Sequence, residues 1–252
     1  MVKLQIASDL HIEYNHNDVP DPLNYVIPKA EVLVLAGDIG SLYRIKQLRG
    51  FLEKVCKLFQ VVLYVPGNHE FYTVHDYKPL SYKSLEKRLA SLGESISNLY
   101  ILNRSSVRID DTCIVGCTLW TEPECVVPHY IIKVKEMNTK GYRKQHEKDL
   151  HYIKRMIEYC KQEKYNMVVI THHPPSKRTL QGAKKRQRFQ SLYATDLEDI
   201  LIKENMGTWI CGHTHKNFDF VTRGRCRVVS NQKGKPKDPS IHDYSKQFTV
   251  SV

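Results

Sequence analysis

Five short polar clusters combine imidazoles with carboxylates and an amide: Asp9-Leu10-His11, Gly37-Asp38, Gly67-Asn68-His69-Glu70, His172-His173-Pro174 and Gly212-His213-Thr214-His215. Each comes just after a run of apolar residues. The donors they offer are Asp9, His11, Asp38, Asn68, His69, His172, His173, His213 and His215, nitrogen and oxygen without a thiolate. Such a set suits two borderline or hard divalent cations such as Mn, Fe or Zn, and argues against a structural zinc held by cysteines. Singly, each cluster has an ordinary explanation, such as a helix cap for Asp38 or a solvated loop for His69. Five coincidences at the ends of apolar runs are a poorer explanation than one shared site. Asp9 and His11 lie two apart, so extended backbone would turn both to one side. Pro174 restricts His173 to extended backbone, so the imidazoles of His172 and His173 are expected to point apart, with one facing the site.

The elements that must position these residues are legible in the same runs. Residues 3–7, 32–36, 61–65, 167–170 and 209–211 read as strands. Pro66 and Gly67 break the third, so an amide, an imidazole and a carboxylate emerge together at its C-terminal end, the edge where open α/β sheets bind ligands. Ile45, Leu48, Phe51, Leu52, Val55, Leu58 and Phe59 recur at helical spacing between the second and third strands. That order predicts a parallel βαβ unit with a right-handed crossover. Further helices are expected over 82–92, 144–164 and 195–204, the last with Thr195 as N-cap and Glu198 completing a capping box. Shorter strands are expected at 99–102, 107–109 and 113–119, and a hairpin of 218–221 with 226–230 around Arg223-Gly224. Loops are expected at 15–28, at 71–79 with Tyr72 and His75 as candidate substrate contacts, and through the proline-broken stretch 120–142. The segment 181–188 forms a basic loop carrying Lys184, Lys185, Arg186 and Arg188, a candidate contact for phosphate or nucleic acid.

The chain has 252 residues, 41% of them hydrophobic, enough for one folded domain spanning 1–252. No apolar run approaches the roughly 18 residues needed to span a bilayer. The N-terminus lacks a secretory pattern, so a cytoplasmic location is expected. Seven cysteines without a Cys-x-x-Cys pair fit reduced thiols, with Cys113 and Cys117 on one buried strand face. The net charge of +11 favours anionic partners, nucleic acid among them, or reflects a lysine-rich surface. No nucleic-acid-binding module is recognisable.

In their order along the chain, Asp9-x-His11, Gly37-Asp38, Gly67-Asn68-His69-Glu70, His172 ahead of Pro174 and Gly212-His213-x-His215 resemble the calcineurin-like metallophosphoesterase superfamily. A closer similarity to a soluble branch runs through Thr118-Leu119-Trp120-Thr121, Met137-Asn138, Thr171-His172-His173-Pro174-Pro175-Ser176 and Ala194-Thr195-Asp196-Leu197-Glu198-Asp199. The resemblance implies an α/β fold, a four-layer αββα sandwich, with two metals at the strand ends. It implies Asp9, His11, Asp38 and His215 as ligands of one metal. Asp38, Asn68, His172 and His213 would hold the other, with Asp38 bridging and His172 preferred to His173 by the family's His-x-Pro spacing. The chemistry expected is a phosphoric ester hydrolysis in which two cations about 3.5–4 Å apart clamp the attacking and leaving oxygens. A bridging hydroxide would attack phosphorus in line. His69 would stabilise charge or protonate the leaving oxygen, Glu70 would orient His69, and His173 and Tyr72 would contact substrate. A phosphomonoesterase is the first expectation and a phosphodiesterase or nuclease the second. A scaffold without chemistry is a third, against which the complete ligand set argues. Specificity would lie in the loops 71–79, 120–142 and 176–192.

Overall fold

The computed structural model describes residues 1–15, 18–180, 189–204, 206–238 and 242–252. In chain order the elements are β1 (Lys3–Ala7), β2 (Val32–Ala36), α1 (Ile45–Cys56), β3 (Val61–Val65), α2 (Tyr82–Glu94), β4 (Leu99–Ile101), β5 (Ser105–Ile109) and β6 (Thr112–Cys117). They continue with α3 (Thr139–Glu163), β7 (Asn166–Thr171), α4 (Glu198–Lys203), β8 (Thr208–Ile210), β9 (Asp219–Val221), β10 (Arg227–Val229) and β11 (Thr249–Ser251). One sheet has the order β11-β1-β2-β3-β4 and the other β5-β6-β7-β8-β10-β9. β1 to β4 pair in parallel, as do β6, β7, β8 and β10, while β11, β5 and β9 add antiparallel edges.

The unbroken apolar runs have a physical reason, because both faces of each central strand are covered. Along β2, Leu33 and Leu35 pack with Leu48, Phe51, Leu52 and Val55 of α1, while Val32, Val34 and Ala36 turn to the opposite sheet. Along β7, Met167 and Val169 meet Ile153 and Ile157 of α3 and Leu201 of α4, while Val168 and Ile170 turn inward. The result is a four-layer αββα sandwich. Leu4, Ile6, Leu63, Ile114, Ile210 and Val229 complete the middle layer. Each such fully buried aliphatic contributes ~1.5–3 kcal/mol, so it is this packing that fixes one sheet's strand ends against the other's.

Three local expectations are not met. α3 begins at Thr139 rather than 144, because Asn138 Oδ1 accepts the Gly141 amide at 2.9 Å and caps the extra turn. α4 starts at Glu198, and the capping box does not form. The Glu198 carboxylate takes the Ser176 hydroxyl instead, and Thr195 Oγ1 has no hydrogen-bond partner among the described residues. The tail supplies β11 as an antiparallel edge for β1, a strand too short to announce itself. The hairpin of β9 and β10 forms as expected. Cys113 and Cys117 are buried together against α3, and the described cysteines are all free thiols. The basic stretch at 184–188 lies outside the described residues. Among the described residues no helix is long and apolar enough to cross a membrane.

Candidate metal centre

The C-terminal ends of β1, β2, β3, β7 and β8 come to one edge, and each of the five clusters lies there. Asp9 and His11 do not reach it by strand alternation. Asp9 (φ 53°), His11 (φ 48°), Asp38 (φ 53°), His213 (φ 71°) and His215 (φ 51°) all adopt left-handed backbone. That conformation costs an L-residue roughly 1–2 kcal/mol, less for Asp and His than for most, and its concentration on candidate ligands marks a functional site. The strain is held by cross-links: Asp9 N donates to Gly37 O at 2.9 Å, and His11 N to Asp38 O at 3.0 Å. The Asp9 carboxylate accepts the His213 amide at 3.1 Å and the Ser8 hydroxyl at 2.7 Å. Glycine is required where the loops press together. A Cβ on Gly37 (φ 88°) would clash with His172 Nδ1 and lie 2.6 Å from His172 Cγ, and one on Gly67 would lie 2.6 Å from Asp38 N.

Two groups of donors converge around Asp38. In the first, Asp9, His11, Asp38 and His215 bring their ligand atoms within 4.8 Å of one another. His215 Nε2 lies 3.3 Å from Asp9 Oδ1, and His11 Nε2 lies 3.8 Å from Asp38 Oδ2. In the second, His172 Nε2 lies 3.3 Å from Asp38 Oδ1, 3.0 Å from Asn68 Oδ1 and 3.3 Å from His213 Nδ1. Asp9, His11, Asp38, Asn68 and His172 are buried, and His213 and His215 are partly so.

The tautomers show what these groups accept. His11 Nδ1 meets Glu13 Oε1 at 2.9 Å, His215 Nδ1 meets Asp238 Oδ2 at 2.5 Å, and His172 Nδ1 meets the Ala36 carbonyl at 2.9 Å. Each partner only accepts, so each Nδ1 carries a proton and each Nε2 is the ring nitrogen turned inward, where a cation or a second proton is held. His11 Nε2 and His215 Nε2 face each other at 3.0 Å, an approach that needs a proton or a cation between them. Ring nitrogens and carboxylates converging in this way fit divalent cations. Without cations, protons take that place. Burial opposes charging His172, but Asp38 and Asp9 hold its pKa up at about 9. Burial likewise opposes ionising Asp38, and His172 and His69 keep it well below the usual carboxylate range.

Other expected site residues fall elsewhere. Glu70 does not orient His69. Its fully buried carboxylate accepts the amides of Asp38 (3.0 Å), Ile39 (2.7 Å), Gly40 (3.3 Å) and Gly67 (2.7 Å), with the Tyr64 hydroxyl at 2.7 Å. It is a tie between the loops after β2 and β3. Burial and the Asp38 charge push its pKa up to about 7, against the pull of its donors. His173 does not reach a substrate either, because it is 0% exposed. Its ring packs 4.1 Å from His213 and 5.2 Å from His172, so the two adjacent imidazoles do not point apart as expected. Its Nδ1 meets Thr118 O at 3.1 Å, and burial and then the His172 charge push its pKa down to about 3. His69 lies beside the clusters, its amide on Asp38 Oδ1 at 2.8 Å and its side chain 25% exposed. Tyr72 leans over it at 5.0 Å between ring centres. Both line a cavity of about 350 Å³ with Asp38, Asn68, His213 and His215 at one side. Tyr142, Tyr193 and Leu192 wall it, and Lys133 and Lys235 stand at it as cations.

Two carboxylates went unnoticed in the sequence. Glu13 continues the alternation of Asp9 and His11, a signal that was available; burial works against its charge, but His11 and His69 bring its pKa down to about 2. Asp238 lies far along the tail from His215, and nothing local marks it.

With the geometry in place, the comparisons are consistent. The calcineurin-like phosphoesterase family model matches residues 3–217, and the chain belongs to that family. It is a metal-dependent phosphoesterase. The chain is 26% identical over 263 residues to the uncharacterized protein L509 of Acanthamoeba polyphaga mimivirus, spanning 92% of this chain and 90% of that one. In fold it is similar to the phosphopantetheinyl hydrolase PptH of Mycobacterium tuberculosis, with a TM-score of 0.75, 17% identity, and coverage of 94% of this chain and 90% of that one. It is also similar to a dimetal phosphatase of Danio rerio, with a TM-score of 0.60, 12% identity, and coverage of 91% and 86%.

Proposed function

We propose that this chain is a dinuclear-metal phosphomonoesterase acting on a small phosphate ester. The observation that carries the reading is the pair of donor groups sharing Asp38 beside a cavity of about 350 Å³. A cavity of that size takes a small molecule more readily than a polynucleotide strand. Asp9, His11, Asp38 and His215 would hold one divalent cation, and Asp38, Asn68, His172 and His213 the other, Mn being the first to test. Cations bound there would offset phosphate charge and make water more acidic. The chain's own residues do the rest. His11, His172 and His215 are oriented through Nδ1 by Glu13, the Ala36 carbonyl and Asp238, so that Nε2 is the nitrogen each would turn to a cation. His69, no member of either donor group around Asp38, stands ready to meet the leaving oxygen. Tyr72 offers its ring to the leaving group. A diesterase is the second reading, favoured by Lys133 and Lys235 at the cavity and by the net charge of +11.

The test is a paired assay with added Mn on a chromogenic phosphomonoester and its diester, with Asp38→Asn as the blank. The monoester should be cleaved preferentially. Asp38→Asn should lose at least ~100-fold, more than the loss usual for a group that only supports a ligand. A clear diester preference would move the reading to the second class, and equal rates in wild type and blank would remove the two-metal site.

A further inference from the structure

His69 stands beside the carboxylate–imidazole clusters, so some group must fix which ring nitrogen it offers to a bound ester. Glu70, adjacent in sequence, is committed to four backbone amides and the Tyr64 hydroxyl. Glu13 is placed differently. It lies in the 3-10 turn Ile12–Asn15 beyond β1, where Arg44 Nη1 donates to its carbonyl at 2.6 Å. Its Oε1 is 2.9 Å from His11 Nδ1 and 3.6 Å from His69 Nδ1, and its side chain is 16% exposed. Oε2 has no hydrogen-bond partner among the described residues, so the carboxylate's polar contacts fall on the oxygen between two rings. Those rings stand edge to face, 4.7 Å apart.

We propose that Glu13 is the positioning residue for His69, holding Nδ1–H so that Nε2 meets the leaving oxygen of the ester. The inference rests on the phosphomonoesterase reading above. A carboxylate only accepts, so the nitrogen facing it carries a proton. When His69 acts as the acid it is the doubly protonated imidazolium, keeping Nδ1–H on Glu13 and passing the Nε2 proton to the leaving oxygen as its bond to phosphorus breaks. That leaves the neutral Nδ1–H imidazole. The 3.6 Å separation is longer than a hydrogen bond, and contacts of this kind tighten when substrate enters. Because the same oxygen fixes the proton on His11 Nδ1, Glu13 ties the ring that meets the leaving group to a ring of the metal cluster.

The leaving group separates these two roles. A 4-nitrophenolate departs without a proton, whereas an alkoxide needs one. Glu13→Gln should lower kcat on an alkyl phosphate by ~10–100-fold, the range for a group that orients another. With metal added until each sample holds the wild-type amount, the loss on 4-nitrophenyl phosphate should be at least ~10-fold smaller than on the alkyl ester, since proton donation adds little there and the share acting through His11 falls on both esters alike. Glu13→Asp, which keeps the charge, should recover part of the loss. Glu13→Gln combined with His69→Ala should be no slower on the alkyl ester than His69→Ala alone, because the two act as one unit. Because Glu13 also supports His11, Glu13→Gln should need more metal than wild type to fill its sites, and metal content is measured on each sample so that rates are compared at equal occupancy. In Zn-loaded protein the Nδ1–H proton resonance of His69 should move upfield in Glu13→Gln, a readout that needs neither substrate nor turnover. Equal losses on both esters at equal metal occupancy would overturn the proposal and leave Glu13 acting through His11 alone. An unmoved His69 resonance would overturn it directly. A wild type inert to both esters, with the resonance shifted as expected, would instead count against the monoesterase reading while upholding the Glu13–His69 contact.

Discussion

At the scale of single residues, the site shows how closely placed carboxylates take unlike tasks. Asp38 keeps its charge and faces both donor groups, while Glu70, on the loop after the next strand, spends its contacts on four backbone amides and the Tyr64 hydroxyl. That difference gives a stability prediction. Glu70→Gln would turn an amide NH₂ towards amide donors, and leaving buried donors unmatched costs ~2–4 kcal/mol. At ~2–4 °C per kcal/mol for a chain of this size, the melting temperature should fall by ~5–15 °C. Scanning calorimetry checks it, and an unchanged melting temperature would mean the tie is dispensable. The residue types were readable in the sequence, and their partners only in part. Asn68-His69-Glu70 stands as three adjacent polar residues, yet Asn68 faces His172, His69 faces Glu13 and Glu70 turns to Asp38 and Ile39. The family resemblance groups Asn68 with His172, Glu13 carries a local hint, and nothing in the sequence marks the Glu70 contacts.

At the scale of elements, the strands and helices followed their patterns because burial on both faces leaves little choice in the central strands. β2 and β3 fall on their apolar runs, and α1 and α2 follow the helical stripes. What pattern could not deliver was the strand ends. Alternation predicted extended backbone at Asp9 and His11, and the chain instead turns left-handed there. Gly37 is the test of that edge. Its positive φ and the His172 ring crowding its Cβ position mean that Gly37→Ala forces either the loop or the imidazole to shift. A loss of ~2–4 kcal/mol is expected from strain plus overpacking, with weakened metal binding, read by denaturant unfolding and metal titration on the same sample. Wild-type values in both would show that the edge has slack.

At the scale of the whole molecule, the two sheets share one site. Asp9, His11, Asp38 and Asn68 follow strands of the first sheet, and His172, His213 and His215 follow strands of the second. Neither sheet alone supplies a full donor group, since one needs His215 and the other needs His172 and His213. Cations bound there would join the halves of the sandwich. At metal concentrations 100–1,000 times Kd, each filled site adds ~2.7–4.1 kcal/mol of stability. Chelation of two sites should lower the melting temperature by ~10–30 °C, with two equivalents of metal found by elemental analysis beforehand. A chelated protein that melts like the loaded one would show that the sheets need no such bridge.

The sequence by itself determined the layered α/β class, the parallel strands and the chemical character of the donor set. Those depend on local periodicity and residue type, which survive in one dimension. Tertiary structure alone decided the rest. It turned His173 into the buried backing of His213, and it made Glu70 a loop tie. It also brought Asp238 from the tail onto His215. These outcomes depend on which sheet edge meets which, and that is set by the packing of the two sheets against each other, where residues far apart in the chain acquire their partners.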